Sequence, residues 1–507
     1  MRRTAHPTSA ATASPELEEV LGWLAGPGSD DPLLDLVPLR KHIGTIDTLR
    51  RPVLHRLKIA ELLQLRAERI DAALLPLLLD AKLPLPHQLA TVAQGLIGLR
   101  ADLGEAWLAI LRDATPEELH KVHRTPLEIY LRGLDNLSRQ LTASLLVSIP
   151  TPIGLWLNIQ RFYHQAGNSV DPTATYPAEM SQIELRLKAM LALAAAQPEG
   201  LAPRELAFLA DYLVDHAVTV RLDPMPPDTP ADWLWIGANI DQQPVALGRR
   251  PPPPGEHLFF RCGSLADLAG NHLKQLADGT PPDALGLPRQ LAGSDYQNTL
   301  ERARQCWLMP RRRSYNRQQR EVRAQVCIHL GNLWAALGGK SEALAQDNVL
   351  DPTTSEWGVL NEGPAGYAMV LLSGRVSGII AGCAIGLRTG DQAPWQICLV
   401  RWARSEHSDH LELGLEVLAP SAEAVRIQTT NHRQQDSQVA ALLLPALPAI
   451  NRTEAILTAR GAFNLSPFTL IQEKTGRLQI TECAPERTLI ETSSVEVFDF
   501  VRLNNQA

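Results

Sequence analysis

Apolar positions follow two rhythms along these 507 residues, and the change between them divides the chain. Up to about residue 220 they recur every three to four residues, the spacing of one helical face. Ser14 followed by Pro15 supplies an N-cap and a first-turn proline, after which Leu17, Val20, Leu21 and Leu24 share a face until Gly26 ends it. Leucine-rich stretches from Leu54 to Leu79, Leu89 to Leu111 and Leu127 to Leu146 continue the pattern. The sets Ile183, Leu187, Met190, Leu191 and Leu206, Leu209, Leu213 complete it. No fixed-period repeat stands out, so a bundle and an irregular solenoid both fit this all-α region, which is assigned residues 1–222.

Proline punctuates the next boundary at Pro224, Pro226, Pro227 and Pro230. Trp233-Leu234-Trp235-Ile236 and Leu258-Phe259-Phe260 then read as strands on either side of a rigid spacer, Pro251 to Pro254. Ser264 is placed to cap a helix carrying Leu265, Leu268, Leu273 and Leu276. A further helix from about Asp295 to Trp307 completes a small α/β module over 223–307. From residue 322 onward the period is two, most clearly where Leu411, Leu413, Leu415 and Val417 alternate with Glu412, Gly414 and Glu416. After Ala419-Pro420 a second set of short strands follows: Val425 with Ile427, Leu442 with Leu444, Leu478 with Ile480 beside a Thr475-Gly476 turn, and Val495 to Val501. These make a second β-rich module, barrel or sheet, over 421–507. The fold class is therefore multidomain α+β.

Composition narrows the function. Hydrophobic residues at 45% are ample for folded cores, and a net charge of −7 argues against a protein that coats DNA or RNA, which needs a basic face. The same acidic charge disfavours a single-stranded nucleic-acid binder using barrel faces and arginines. Six cysteines without C-x-x-C spacing in a long chain are the usage of buried thiols in a reducing compartment. The start, Met1 to Pro7, is followed by small polar residues and not by an apolar run, unlike a secretory signal, and no window of about 18 apolar residues could span a bilayer. The expectation is a soluble cytoplasmic protein without direct membrane insertion.

Candidate chemistry concentrates at two places. Arg311, Arg312 and Arg313 precede Ser314-Tyr315-Asn316-Arg317, and Arg313 and Arg317 point the same way whether the segment is extended or helical. Guanidinium groups stack on bases, grip a guanine O6/N7 edge and pair bidentately with phosphate. Of the flanking pair Arg312 reads as the helper, whereas Arg320 and Arg323 read as solvent-facing. Further on, Asn361-Glu362-Gly363-Pro364-Ala365-Gly366-Tyr367 reads as a turn whose amide suits a guanine edge and whose glycines permit positive φ and close approach. The natural target of the two together is an anionic guanine nucleotide. Trp357 and Tyr367 are candidates for base stacking, against a core role.

Other sites fail. Trp334 to Ser341 resembles the end of a P-loop but has Trp334 where the opening glycine belongs. His120 with His123, and His407 with His410, lack a third ligand nearby, and no catalytic signature is present. No metal, cofactor or enzymatic activity is expected.

Arg313 and Arg317 fit the R-x-x-x-R element, and Asn361, Gly363 and Gly366 the D/N-x-S-x-x-G element, of the PilZ domains, small β-barrels that bind cyclic di-GMP. Gly363 stands where that family usually has serine. Tyr367 to Leu371, Trp395 to Trp402 and Leu411 to Val417 resemble its later strands, so the resemblance runs over about 308–420. The stretch Gly331 to Leu350 reads as an inserted loop or short helix. The resemblance implies a cyclic di-GMP effector held by Arg312, Arg313, Arg317, Asn361, Gly363 and Gly366. It would relay the signal to surface attachment, motility, pili or biofilm formation, with protein partners recruited through the helical region. The competing expectation is a ligand-independent PilZ-like interaction scaffold.

Overall fold

The computed structural model describes residues 15–29, 31–47, 52–170, 177–229, 231–310, 318–339, 354–407, 410–429, 438–462, 466–474 and 477–503. Helices come first: α1 (Pro15–Ala25), α2 (Pro32–Thr45), α3 (Val53–Leu78), α4 (His87–Asp113), α5 (Pro116–His120), α6 (Pro126–Leu146), α7 (Leu155–Asn168), α8 (Ala178–Ala195) and α9 (Pro203–His216). The chain then forms β1 (Arg221–Asp223), β2 (Leu234–Gly237), β3 (Val245–Ala246), β4 (His257–Arg261), α10 (Gly263–Ala277) and α11 (Ser294–Leu308). The expected cap at Ser264 is displaced: the helix starts two residues earlier, at Gly263, with Cys262 in the cap position and no side-chain cap bond.

The chain divides into two compact units that interleave along the sequence. One comprises Met1–Leu77, Ala90–Ala143 and Asn158–Leu187; the other comprises Leu78–Leu89, Ser144–Leu157 and Lys188–Ala507. Inside the first, apolar stripes meet in a core that includes Leu63, Leu96, Leu103, Trp107, Leu134 and Phe162, all with no exposed surface. Helices α6 and α7 approach so closely that a Cβ on Gly133 would fall 2.0 Å from the Phe162 ring, which only glycine avoids. A polar network crosses this core. The Arg100 guanidinium, 1% exposed, bonds Asp71 and donates to Asn136 Oδ1 at 2.8 Å. Asn136 and the Trp107 indole both donate to Gln64 Oε1. The network ties α3, α4 and α6 at one level, and each member satisfies another, as burial of polar groups demands.

The second unit begins with a four-stranded sheet in the order β1-β4-β2-β3, covered by Trp233, Trp235 and Phe259. Two closed barrels follow. The first is built from β5 (Gln318–Ile328), β6 (Thr354–Gly363), β7 (Gly366–Ser373), β8 (Ala384–Arg388), β9 (Gln396–His407) and β10 (His410–Ala419), in the order β10-β7-β6-β5-β8-β9. The alternation read at Leu411, Leu413 and Leu415 is its inner face: these side chains are at most 5% exposed and meet Trp357, Met369, Ile385 and Val326. Gly414 lies under the Trp402 indole, where a Cβ would come within 1.9 Å of Nε1. The second barrel comprises β11 (Glu423–Thr429), β12 (Gln438–Leu444), β13 (Ala455–Ala459), β14 (Phe468–Lys474), β15 (Arg477–Glu491) and β16 (Val495–Arg502). It closes in the order β11-β12-β13-β16-β15-β14 around Phe468, Phe498 and Phe500.

The stretch read as an inserted loop or short helix carries α12 (Leu330–Ala336), and residues 340–353 lie outside the described residues. Its Trp334, 4% exposed, donates its indole N–H to Val425 O at 2.8 Å and packs with Leu333, Leu442, Leu457 and Val497 between the barrels. The residue that spoiled the P-loop pattern is thus an inter-barrel anchor.

Three connectors between helices belong to the second unit and sit on the first barrel. Leu83, between α3 and α4, is part of the barrel core and exchanges backbone hydrogen bonds with Ile379 at 2.8 and 3.0 Å. Ser148, between α6 and α7, accepts from Ser405 N at 3.0 Å. Gly200, between α8 and α9, lies so near β9 that a Cβ on it would sit 3.0 Å from Arg401 O.

Candidate functional site

Strand register assembles the candidate site at one end of the first barrel. β5 pairs antiparallel with β6, placing Gln318 opposite Glu362 and Gln319 opposite Asn361. β6 pairs with β7 through Asn361–Ala368, Glu362–Tyr367 and Gly363–Gly366, leaving Pro364 and Ala365 as a two-residue link. The three sequence-derived residues Asn361, Gly363 and Gly366 therefore share one hairpin. Arg312, Arg313 and Arg317, together with Arg311, lie outside the described residues. Arg317 is the residue before Gln318, the first of β5.

The hairpin differs from the expected turn in one physical respect. Gly366 does not use positive φ; both glycines end strands in extended backbone. What requires glycine at 366 is proximity: a Cβ there would fall 1.8 Å from Leu415 O. Val417 N donates to Ala365 O at 3.0 Å, and Glu416 stands in register with Gly366, so β10 forms the floor under the hairpin.

Asn361 carries the clearest chemical signal. Its side chain is half-buried, and its Oδ1 is buried with no hydrogen-bond partner among the described residues. A buried acceptor left without a donor costs about 1–3 kcal/mol, which a bound donor recovers. Beside it, Tyr367 donates its hydroxyl to Gln396 Oε1 at 3.2 Å, tying β7 to β9 across β10. Arg401 Nε meets Glu416 Oε2 at 2.6 Å. Sequence reasoning missed both pairs, since partners 15 and 29 residues apart leave no local pattern.

Other candidates resolve differently. Trp357 is fully buried in the barrel core, its indole N–H donating to Ser355 Oγ at 2.8 Å, so it is not a stacking platform. Arg323 is solvent-facing, as expected, and pairs with Glu356 at 2.9 Å; the side chain of Arg320 lies outside the described residues. His410 pairs with Glu412 at 3.1 Å. Among the described residues no cluster of three potential metal ligands occurs. A cavity of about 420 Å³ opens at the far ends of β6 and β7, where Arg323, Glu356, Arg388 and Asp391 already engage neighbours. A cleft of about 680 Å³ in the helical unit is lined by Asp47, Asp102, Arg112 and Arg161, among others, and had no signal in the sequence. No described helix is long and apolar enough to cross a membrane.

Comparison with known proteins finds two matches along the chain. Residues 18–228 match the family described as cyclic-di-GMP receptor FimW, N-terminal domain, and residues 336–424 match cyclic-di-GMP receptor FimW, middle PilZ domain. The cyclic-di-GMP receptor FimW of Pseudomonas aeruginosa is 32% identical over 127 residues, 25% of this chain and 21% of that relative. The match thus spans about a fifth of the relative's length. The PilZ match takes in the Asn361 hairpin and begins after both the arginine run and β5.

Proposed function

We propose that this chain, a PilZ-domain protein with a FimW-type N-terminal region, is a cytoplasmic receptor that captures cyclic di-GMP between Arg312, Arg313 and Arg317 and the Asn361–Gly366 hairpin. The observation that carries the reading is the β5–β6 register: the strand that begins directly after Arg317 pairs its first two residues with Glu362 and Asn361. Arg317 is therefore bonded directly to the residue that faces Glu362, which supports the pairing of the two motifs beyond their order in the sequence. Asn361 Oδ1 offers an acceptor that no described residue uses. Gly363 adds no side chain to the hairpin that would keep a base away.

Physically, closely spaced arginines repel and a dianionic ligand neutralises them, so binding is linked to the arrangement of the elements on either side. The protein works as a binder and not as a catalyst, with protein partners engaged through the helical region and an output in surface attachment, motility, pili or biofilm formation. Calorimetric titration tests the reading. Cyclic di-GMP gives a saturable isotherm, linear dinucleotide and GTP give none, and Arg313→Ala and Arg317→Ala each abolish it. Absence of heat at high micromolar cyclic di-GMP with wild-type protein would sink the proposal. One observation favours a second reading, a ligand-independent scaffold: Gly363 removes the hydroxyl usual at that position. Under it, both arginine variants leave partner binding untouched.

A further inference from the structure

Helix α11 is held at three levels, and its last turn leads into the arginine run with only Met309 and Pro310 between. At its start, Arg460 and Glu491 of the second barrel grip it. Arg460 Nη2 lies 2.6 Å from Asp295 and 3.0 Å from Ser294 Oγ, and Glu491 accepts from Ser294 and Asn298. In its middle, Arg302 reaches the connector between α8 and α9: Nη2 donates to Gly200 O at 2.5 Å and Nη1 meets Glu205 Oε2 at 3.4 Å. Near its end, the fully buried Trp307 donates its indole N–H to Ala192 O at 2.9 Å.

The Gly200 that Arg302 holds is the same residue that lies against Arg401 O of β9. The Arg401 side chain pairs with Glu416, and Glu416 stands in register with Gly366 of the hairpin. Two routes therefore converge on one joint. From the arginine run, α11 leads back to Arg302; from the hairpin, β10 and β9 lead to Gly200. A ligand that joins the run to the hairpin closes this circuit.

We propose that Arg302, bridging Gly200 and Glu205, is the latch through which nucleotide occupancy of the first barrel is transmitted to α8 and α9, binding firming the latch and its absence loosening it. The inference rests on the nucleotide-binding reading above. Among the described residues Arg302 bonds Gly200 and Glu205 and not the Asn361–Gly366 hairpin, so it acts as a positioning residue. Coupling of this kind is reciprocal: a latch that nucleotide firms must, when broken, weaken nucleotide binding by the same factor.

The test uses the full chain with cyclic di-GMP, read by calorimetry and by amide hydrogen exchange over residues 190–206. In the wild type, saturating nucleotide slows exchange in this segment about five- to tenfold. Arg302→Ala still binds, about tenfold more weakly, within the ordinary range of coupling, and loses that protection. Because Arg302→Ala leaves the Glu205 carboxylate buried without its cation, the pair R302A/E205Q removes both partners and carries the same expectation in a satisfied core. Nucleotide that binds the wild type without changing exchange over 190–206 overturns the latch and leaves the binding site standing, as do variants with unchanged affinity and protection. A wild type that binds no nucleotide overturns both.

Discussion

Asn361 and Gly366 sit five residues apart on one hairpin and answer to different demands, so substitutions at the two positions separate. Gly366→Ala drives a methyl into Leu415 O, a fixed backbone atom. Overpacking of this kind costs about 1–3 kcal/mol or more, so thermal unfolding shows a lowered midpoint whether or not nucleotide is present. Asn361→Ala removes an acceptor that no described residue satisfies. Stability is then unchanged or rises by up to about 1 kcal/mol while cyclic di-GMP affinity falls at least tenfold. A large loss of stability in Asn361→Ala would mean that Oδ1 is engaged within the protein itself. None of the six cysteines is joined in a disulfide, and four are buried. Burial pushes the Cys398 thiol up to about 12. A thiol that far above neutrality presents almost no thiolate, so Cys398 resists an aromatic disulfide reagent at pH 8 in the native protein and reacts only on unfolding.

At the scale of elements, the helices and the steepest alternating strands were legible because their local patterns are strong. Leu54 to Leu79, Leu89 to Leu111 and Leu127 to Leu146 correspond to α3, α4 and α6 almost residue for residue, and the Leu411 alternation is β10. The short α12 was only half legible, because its face is defined by contacts with strands far later in the chain, Leu442 and Val497 among them. The Arg100 network was invisible for a similar reason: its members come from three helices, and nothing in the spacing of Asp71, Arg100 and Asn136 marks them as one group. Arg100→Ala leaves Asp71 buried with only the half-exposed Arg139 as a cation, and about 3–5 kcal/mol of the helical unit's stability is lost in chemical denaturation. The joint of α9 and α10 carries a pH dependence. Tyr212 Oη lies 3.0 Å from His272 Nδ1, and His216 packs edge-on to the same imidazole at 5.2 Å. Burial, with a contribution from His216, holds His272 below its ordinary value. The unfolded chain therefore takes up a proton before the folded one does. The stability that neutral His272 supports is present above about pH 6.5, the ordinary histidine value, and declines as pH falls below it. Midpoints recorded between pH 7.5 and 5.0 fall more steeply in the wild type than in His272→Gln.

For the whole molecule, the compact units could not be read from composition, because proline-rich punctuation marks where chain direction changes and not which side a connector packs on. Leu83, Ser148 and Gly200 all lie in stretches whose neighbours are helical, yet each rests on the first barrel. The two barrels share the cluster around Trp334, so Trp334→Ala lowers a single joint β-sheet transition in calorimetry and does not split it into two. The proposed site was legible as chemistry but not as geometry: the residue types at Asn361 and Gly366 were readable, whereas the contact of Gly366 with β10 depends on a strand some fifty residues downstream. Leu83 also bears on how this architecture can be handled and how it could have diversified. A fragment cut out as the barrel sequence alone would leave Ile379 without its backbone companion and an apolar socket open to water. Swapping such a sensor between proteins as a cassette would require carrying along a borrowed finger from far upstream, and that requirement binds the histories of the two regions together.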